Sequence, residues 1–467
     1  MIPGGRSPER QIAVRRAGSV QGPQVDGPLA ILAGGGTLPV EIAAHILYTK
    51  QRPVHLIALE GEADSTITAF PHTWVNLGQI GRMVNALRRH GCTHMVLAGT
   101  VRRPNLSSLR PDFGLLMALP RLLRTMRGGD DSVLRRVISF FESKGLTVVG
   151  LADVAPHLLA PIGPLGACLP TPENEAAIAR GLALLGTMGP FDVGQAVVAT
   201  SDEIVAIEGA GGTDAMLKGL AGRTPADRTS LRGRGGVLVK WPKPGQELRL
   251  DLPAAGPRTI ELAAQAGLSG IAVQAGAAVF LEREAFRAAA DAAGLFVLGM
   301  DQTTVQEANL APSPAGEAAA EQLQMHTRRI PSAGERLDIA MGRRLVAALA
   351  PHGVGTCAVV ARQYVLAVEA HETMTEVIER AAHLRQWGRK SRRAVGTFVV
   401  RETASAPTWL TQMESREAFL VALKAARLAG IVVVTSGLSQ PDLTPFVARL
   451  NDERLFLVTV EPVEPVQ

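Results

Sequence analysis

The segment that most constrains the fold is an apolar run followed by three consecutive glycines and a helical pattern. Leu29–Leu32 has the character of a buried strand, Gly34, Gly35 and Gly36 form a turn, and Val40–Leu47 has the apolar spacing of a helix. Glycines without Cβ atoms allow backbone N–H groups to approach a ligand, and the dipole at a helix N-terminus favours an anion. The pattern therefore predicts a phosphate or pyrophosphate at the three glycines, although such turns also occur for packing reasons alone.

Strand and helix patterns alternate through residues 28–150, which is typical of a parallel sheet covered by helices. The predicted strands are Leu29–Ala33, Val54–Leu59, Thr93–Ala98 and Leu146–Val149, and the predicted helices lie at about residues 37–50, 78–90, 114–127 and 131–144. Ligands of such sheets bind beyond the carboxyl ends of the strands. The sequence therefore predicts an α/β protein whose N-terminal domain is a Rossmann-like parallel sheet.

Two further polar loops follow predicted strands of this domain. The loop from Gly99 and Thr100 to Arg103 offers a hydroxyl group and guanidinium groups, which suit phosphate through bidentate hydrogen bonds; a solvated basic loop is the alternative. Asp130 and Asp131 stand at the start of a predicted helix, which needs only one N-cap residue. The second carboxylate is available for a metal or a nucleotide, and capping alone is the alternative.

A second α/β domain is predicted over residues 161–300, and it carries several polar residues in apolar surroundings. Thr213 and Asp214 follow a glycine turn, where either could simply cap a helix, and Lys240 ends an apolar strand. Asp251 lies in an alternating apolar segment that predicts a strand. A carboxylate there is costly unless it is paired or binds something, so we expect either a catalytic or metal-binding role or a salt bridge to Arg249.

The second domain recurs after a linker predicted at residues 301–334. Residues 176–208 align without gaps on 337–369, with ten identical pairs, and residues 266–271 align on 426–431 in nearly the same register. The polar residues differ between the copies: Gln195 becomes Thr356, Thr213-Asp214 becomes Met374-Thr375, Lys240 becomes Val400 and Asp251 becomes Thr411. We therefore predict a degenerate repeat at residues 335–463, and a functional role for those polar residues of the first copy.

Composition excludes several classes of function. A net charge of +5 over 467 residues and an aromatic content of 4% argue against nucleic acid as a partner. Cys92, Cys168 and Cys357 are widely spaced and match no zinc motif, which favours a reduced, cytoplasmic environment. Residues 1–27 are polar and basic, and we expect a flexible extension. We also find no run approaching the roughly 18 apolar residues of a membrane span.

Seven motifs, in order and at natural spacing, together resemble one family, the UDP-2,3-diacylglucosamine pyrophosphatases of lipid A biosynthesis (LpxI type). The resemblance covers about residues 28–300. The motifs are Ala33-Gly34-Gly35-Gly36-x-Leu38-Pro39, Ala98-Gly99-x-Val101-x-Arg103-Pro104, Gly129-Asp130-Asp131, Val193-Gly194-Gln195, Gly212-Thr213-Asp214-Ala215-Met216, Lys243-Pro244-Gly245-Gln246 and Asp251-Leu252-Pro253.

The resemblance implies a Rossmann-like domain and a C-terminal α/β domain that hold the substrate between them. It implies cleavage of UDP-2,3-diacylglucosamine to UMP and the sugar 1-phosphate with a divalent metal such as Mg²⁺. Asp251 matches the essential aspartate of the family, and we expect it to bind the metal together with Asp130 and Asp131. The residues expected to contact substrate are Gly34, Gly35, Gly36, Gly99, Thr100, Arg103, Gln195, Thr213, Asp214 and Lys240.

The resemblance also implies a cytoplasmic protein that works peripherally at the inner membrane surface, where its acylated substrate lies. We expect either a homodimer or a monomer in which the extra copy replaces a partner. A non-catalytic nucleotide-lipid sensor or scaffold is the alternative function. A nucleotide-dependent oxidoreductase is disfavoured, because Pro39 replaces the third glycine of the dinucleotide motif and no ribose-binding acid is recognisable.

Overall fold

The computed structural model describes residues 27–50, 52–101, 110, 112, 130–222, 235–301, 323–385, 395–402, 413–435 and 444–462. Arg103, the predicted helix at 114–127 and almost all of the N-terminal extension lie outside these ranges. The described residues form one five-stranded sheet, two six-stranded sheets and a two-stranded pair. This arrangement confirms the predicted α/β class.

The first sheet is parallel throughout, in the order β3-β2-β1-β4-β5. Its strands are β1 (Leu29–Ala33), β2 (Val54–Leu59), β3 (His72–Val75), β4 (His94–Ala98) and β5 (Thr147–Val148). Its helices are α1 (Leu38–Ala44), α2 (Ile80–Arg89), α3 (Asp130–Glu142) and α4 (Leu151–Val154). The predicted strands are all present, and the edge strand β3 was missed because it is short and only partly buried.

The central strands of this sheet are buried because their side chains face apolar clusters on both sides. Every residue of β1 and β2 is buried. One cluster contains Leu29 and Ile31 with Ile42 of α1, and the other contains Ala30 and Leu32 with Leu87 of α2. A strand buried on both faces reads as a continuous apolar run, which is why the sequence identified β1 and β2 correctly.

The second sheet is mixed, in the order β6-β13-β11-β9-β7-β8. Its strands are β6 (Gly163–Pro164), β7 (Ala196–Ala199), β8 (Ile204–Ile207), β9 (Gly236–Lys240), β11 (Leu268–Gln274) and β13 (Phe296–Met300), and β10 (Ala254–Ala255) pairs with β12 (Val279–Phe280) beside it. Its helices are α5 (Pro172–Met188), α6 (Gly212–Gly222), α7 (Pro257–Gln265) and α8 (Arg283–Ala293). Strands β9, β11 and β13 run parallel, whereas β7 runs antiparallel to β9 and β8 runs antiparallel to β7.

The third sheet has the order β14-β19-β18-β17-β15-β16 and the same sequence of parallel and antiparallel pairs as the second. Its strands are β14 (Gln324–Met325), β15 (Cys357–Ala361), β16 (Tyr364–Val368), β17 (Thr397–Arg401), β18 (Gly430–Val434) and β19 (Phe456–Val460). Its helices are α9 (Ala333–Leu349), α10 (Met374–Arg385), α11 (Met413–Ala425) and α12 (Thr444–Asp452). The predicted linker at 301–334 is therefore too long at its C-terminal end, since β14 and the start of α9 belong to this sheet domain.

The second and third sheets share one apolar core. It joins Ile178 and Leu185 of α5 to Ile339 and Val346 of α9, together with residues of both sheets. The burial of apolar surface between the two domains stabilises their association. Within the described residues, no helix is both long and apolar enough to cross a membrane.

Replacing Gly270 by alanine is expected to destabilise the second sheet. A Cβ atom at this position would lie 2.3 Å from the ring of Phe296, and the same contact recurs between Gly430 and Phe456. Phe296 is buried, so its ring has little room to move, and we expect a loss of about 1–3 kcal/mol. Thermal unfolding followed by circular dichroism measures the effect.

The matched control is Gly219→Ala, because Gly219 lies within α6 and a Cβ atom there meets nothing within 4 Å. We expect this control to keep or raise the Tm, since alanine stabilises a helix by about 0.5–1 kcal/mol relative to glycine. Equal Tm values for the two variants would contradict the packing argument.

Candidate functional site

Asp251 lies in a turn rather than in a strand. The backbone N–H groups of Leu250 and Asp251 both donate to the carbonyl oxygen of Glu247, at 3.0 Å each, so the chain reverses there. The prediction of a strand around Asp251 is therefore wrong. The apolar alternation arises because the side chains of Leu250 and Leu252 point to different apolar clusters, a pattern that a turn can produce as well as a strand.

This turn docks on the carboxyl edge of the first sheet. Leu250 packs against the cluster on one face of that sheet, and Leu252 packs against the cluster on the other face. The Cα atom of Arg249 lies 3.5 Å from the position of a Cβ atom on Gly150, which follows β5 closely. Asp251 is thus held between two anchored leucines, on a segment that leaves β9 of the second sheet and reaches the first domain.

Arg249 forms ion pairs with a carboxylate of each domain. Its Nε atom lies 2.8 Å from Glu247 Oε1 in the same turn, and its Nη1 atom lies 3.3 Å from Glu142 Oε1 at the end of α3. The guanidinium of Arg249 lowers the pKa of Glu247 through the hydrogen bonds between them. Arg249 therefore helps to fix the turn against the first domain.

The side chain of Gln246 links two of the predicted site residues. Its Nε2 atom donates to Asp251 Oδ2 at 2.6 Å and lies 3.3 Å from Gln195 Oε1. Its Oε1 atom accepts from the backbone N–H of Lys243 at 2.7 Å. Asp251 and Gln195, which are 56 positions apart in the sequence, are thus brought into one hydrogen-bonded group.

Lys240 is buried at the carboxyl end of β9 and is surrounded by carboxylates. Its side chain is only about 5% exposed, and its Nζ atom donates to the carbonyl oxygen of Ala254 at 2.8 Å. Burial lowers the pKa of Lys240, while the nearby carboxylates of Glu208, Asp214 and Asp251 oppose that shift. Two of these carboxylates, those of Asp214 and Asp251, belong to predicted site residues. An anionic ligand bound beside Lys240 would add further negative charge, which favours the charged form of the lysine.

Glu208 holds two of the predicted substrate residues in place. Its carboxylate accepts from the backbone N–H of Gln195 at 2.6 Å and from the hydroxyl of Thr213 at 2.7 Å. Glu369 accepts in the same way from the backbone and hydroxyl of Thr356 in the third sheet domain. Because the same backbone contact is present in both mixed-sheet domains, Glu208 has a role in the fold.

The glycine turn and the Gly99-Thr100 loop bind each other at the carboxyl edge of the first sheet. The N–H of Gly35 donates to the carbonyl oxygen of Thr100 at 2.8 Å, and the N–H of Thr100 donates back at 2.9 Å. A Cβ atom on Gly34 would lie 2.4 Å from the Thr100 carbonyl oxygen, and Gly99 has a φ of +88°. Glycine is therefore required at both positions by this close approach.

The backbone donors of the glycine turn are already used in this structure. The N–H of Gly34 donates to the carbonyl oxygen of Ala98 at 2.8 Å, and that of Gly36 donates to Asp64 Oδ2 at 2.9 Å. A carboxylate of the protein thus lies where the sequence predicts a bound anion. Substrate contact at this turn remains a prediction, and a phosphate that accepts from Gly36 would displace Asp64.

The proposed metal ligands are only partly visible. Asp130 and Asp131 begin α3, but their side chains lie outside what the structure describes. Among the described residues, no group of three or more His, Cys, Asp or Glu side chains is arranged to hold a metal ion. Asp251 contributes one carboxylate at the domain boundary, and Mg²⁺ in phosphoryl-transfer sites commonly uses one or two carboxylates with phosphate oxygens.

The sequence alone does not reveal the contacts of Gln246 and Glu208. Gln246 belongs to the Lys243–Gln246 motif, but a glutamine in a proline- and glycine-containing turn has no titratable chemistry that would single it out. Glu208 aligns with Glu369 in the gapless alignment of residues 176–208 on 337–369. That identity is the sequence signal that could have indicated a structural role.

Comparison with known proteins agrees with this arrangement of domains. The model of the LpxI N-terminal domain matches residues 28–158, and the model of the LpxI C-terminal domain matches residues 161–298 and again 322–403. A curated relative, UDP-2,3-diacylglucosamine pyrophosphatase LpxI of Caulobacter vibrioides, is 42% identical over 273 residues, which is 58% of this chain and 97% of the relative. The two family models together match well over half of the sequence, and the chain belongs to the LpxI family.

Proposed function

We propose that this chain hydrolyses the pyrophosphate bond of UDP-2,3-diacylglucosamine to give UMP and 2,3-diacylglucosamine 1-phosphate in lipid A biosynthesis. Its relative at 42% identity is named a UDP-2,3-diacylglucosamine pyrophosphatase. The observation that carries the proposal is the docking of Asp251 on the carboxyl edge of the first sheet, hydrogen-bonded through Gln246 to Gln195. Such an edge is where α/β sheets bind nucleotides.

The described residues include groups suited to each requirement of this hydrolysis. Hydrolysis of a phosphoanhydride needs a positioned water and stabilisation of negative charge on the phosphates. The Asp251 carboxylate accepts a proton from, or orients, the attacking water. Lys240 supplies positive charge beside it, and the Thr100 hydroxyl lies at the same sheet edge as the glycine turn. Gln195, Thr213 and Asp214 complete the proposed contacts to the nucleotide and phosphates, together with Arg103, which lies outside the described residues.

A divalent cation such as Mg²⁺ belongs to this proposal. Asp251 is proposed as one ligand, with Asp130 and Asp131 at the start of α3 as the others. When bound, such an ion neutralises charge on the phosphate oxygens and acidifies a coordinated water. The substrate is acylated, so the chain is proposed to work in the cytoplasm, peripherally at the inner membrane surface.

The third sheet domain is proposed to be a degenerate copy of the second. The two have the same strand order, and α5 and α9 occupy equivalent positions 161 residues apart. These equivalent helices pack on each other through the shared apolar core, with Thr187 Oγ1 hydrogen-bonded to His352 Nε2 at 2.9 Å and Glu203 Oε2 lying 3.3 Å from His371 Nε2. In a two-fold dimer, the same surface of each subunit faces its partner. Here the two equivalent surfaces belong to domains of one chain.

The purified chain is expected to release UMP from UDP-2,3-diacylglucosamine in the presence of Mg²⁺. A chelator should abolish the release, and excess Mg²⁺ should restore it, because the proposed ion neutralises phosphate charge. Chromatographic detection of UMP provides the measurement. Tight binding without turnover would instead support the sensor or scaffold alternative, and activity that resists chelation would overturn the metal proposal.

Asp251→Ala is expected to lower kcat by about 10²–10⁴-fold while substrate binding persists, because it removes the carboxylate that acts on the water. Asp202→Ala is the matched control, since Asp202 is exposed in the turn between β7 and β8. Initial rates of UMP release and calorimetric binding measure the two effects. Near-normal turnover by Asp251→Ala would contradict the assigned role.

Full-length protein is expected to be a monomer, because the third domain covers the face of α5 that an equivalent subunit would otherwise cover. Ending the chain near residue 300 uncovers that apolar face, and the shortened protein is expected to dimerise or associate further. Light scattering coupled to size-exclusion chromatography compares the two. The same oligomeric state for both would count against a partner-replacing role.

A further inference from the structure

We propose that Gln246 is a positioning residue for Asp251, which fixes the orientation of its carboxylate. The inference rests on the proposed hydrolysis for its kinetic consequences. The direction in which the Gln246 amide points, however, is set by contacts that do not depend on any substrate.

The Gln246 amide has one preferred orientation in this site. Its oxygen accepts from the Lys243 N–H at 2.7 Å, a donor that cannot reverse its role. The amide nitrogen therefore faces three acceptor oxygens: Asp251 Oδ2 at 2.6 Å, the Asp251 carbonyl oxygen at 3.1 Å and Gln195 Oε1 at 3.3 Å. An amide nitrogen donates and does not accept, so a donor is aimed at the Asp251 carboxylate.

The turn that carries Gln246 is held from both sides. The Gln246 N–H donates to the carbonyl oxygen of Lys243 at 3.0 Å, which closes the turn. Lys243 Nζ forms an ion pair with Asp192 Oδ1 at 2.6 Å, and the ring of Pro244 packs closely against Gly189. Residues that orient a functional group are effective only when they are themselves fixed, and this turn meets that requirement.

The amide donor fixes which way the Asp251 carboxylate points. Gln246 Nε2 contacts both Oδ2 and the backbone carbonyl oxygen of Asp251, so one side chain restrains the side chain and the main chain of the same residue. Replacing this amide therefore loosens Asp251 without touching its carboxylate.

Gln246→Asn keeps the amide but shortens its reach, and we expect a roughly tenfold or greater loss of kcat in the full-length protein with a KM within about threefold. Gln246→Glu can still accept from the Lys243 N–H, but it replaces the donor to Asp251 by a carboxylate, and we expect at least as large a loss of kcat. UMP release measured over a range of substrate concentrations gives both kcat and KM.

Gln265→Glu is the matched control, since Gln265 is exposed at the end of α7, and it should leave kcat and KM unchanged. A normal kcat in Gln246→Asn or in Gln246→Glu would overturn the proposal. If Gln246→Glu does not fold, the kcat of Gln246→Asn decides.

A measurement without substrate separates this inference from the proposed function. Gln246→Glu should lower the Tm at mildly alkaline pH in the wild-type background, where two carboxylates meet. In an Asp251→Asn background it should lower the Tm much less, because the introduced amide donates to the new carboxylate. Equal losses in both backgrounds would refute the Gln246–Asp251 contact, whereas an inactive chain with unequal losses would refute only the hydrolysis.

Discussion

The site depends on the anchoring of one turn by two leucines. Leu250 and Leu252 enter the apolar clusters on opposite faces of the first sheet, so the residue between them is held at the sheet edge. The segment begins at the buried end of β9 and therefore ties the second domain to the first. Apolar burial sets where Asp251 lies, and hydrogen bonds then set which way its carboxylate points.

Electrostatics around Lys240 give the site its chemical character. A lysine buried to this degree is costly in isolation, and its pKa falls because water no longer stabilises the charge. Glu208, Asp214 and Asp251 offset that cost, and each has a further contact or position in the proposed site. Such a balance is sensitive to added negative charge, which is what a pyrophosphate brings. The third sheet domain has Val400 at the equivalent position, and a valine needs no carboxylates to compensate its burial.

The two mixed sheets have the same strand order and share several packing contacts. The glutamates at equivalent positions, Glu208 and Glu369, still accept from the first residues that lead into β7 and β15. The glycines Gly270 and Gly430 still admit a phenylalanine ring at the same distance. These contacts serve strand packing, so they recur in both domains. Lys240, in contrast, aligns with Val400, so the buried cation of β9 has no equivalent in β17.

Local apolar periodicity was enough to predict the strands that are buried on both faces and the strand–helix alternation of the parallel first sheet. Identities at a fixed spacing predicted that the second and third sheet domains are alike, and their strand orders agree. The short edge strand β3, the turn at Asp251 and the contacts of Gln246 could not be predicted in this way. A turn anchored by alternating leucines has the same pattern as a strand, and only the two apolar clusters of the first sheet distinguish them. The Gln246 contact joins residues 246, 251 and 195, whose proximity arises only when the domains fold together, because no local pattern encodes a meeting of distant segments.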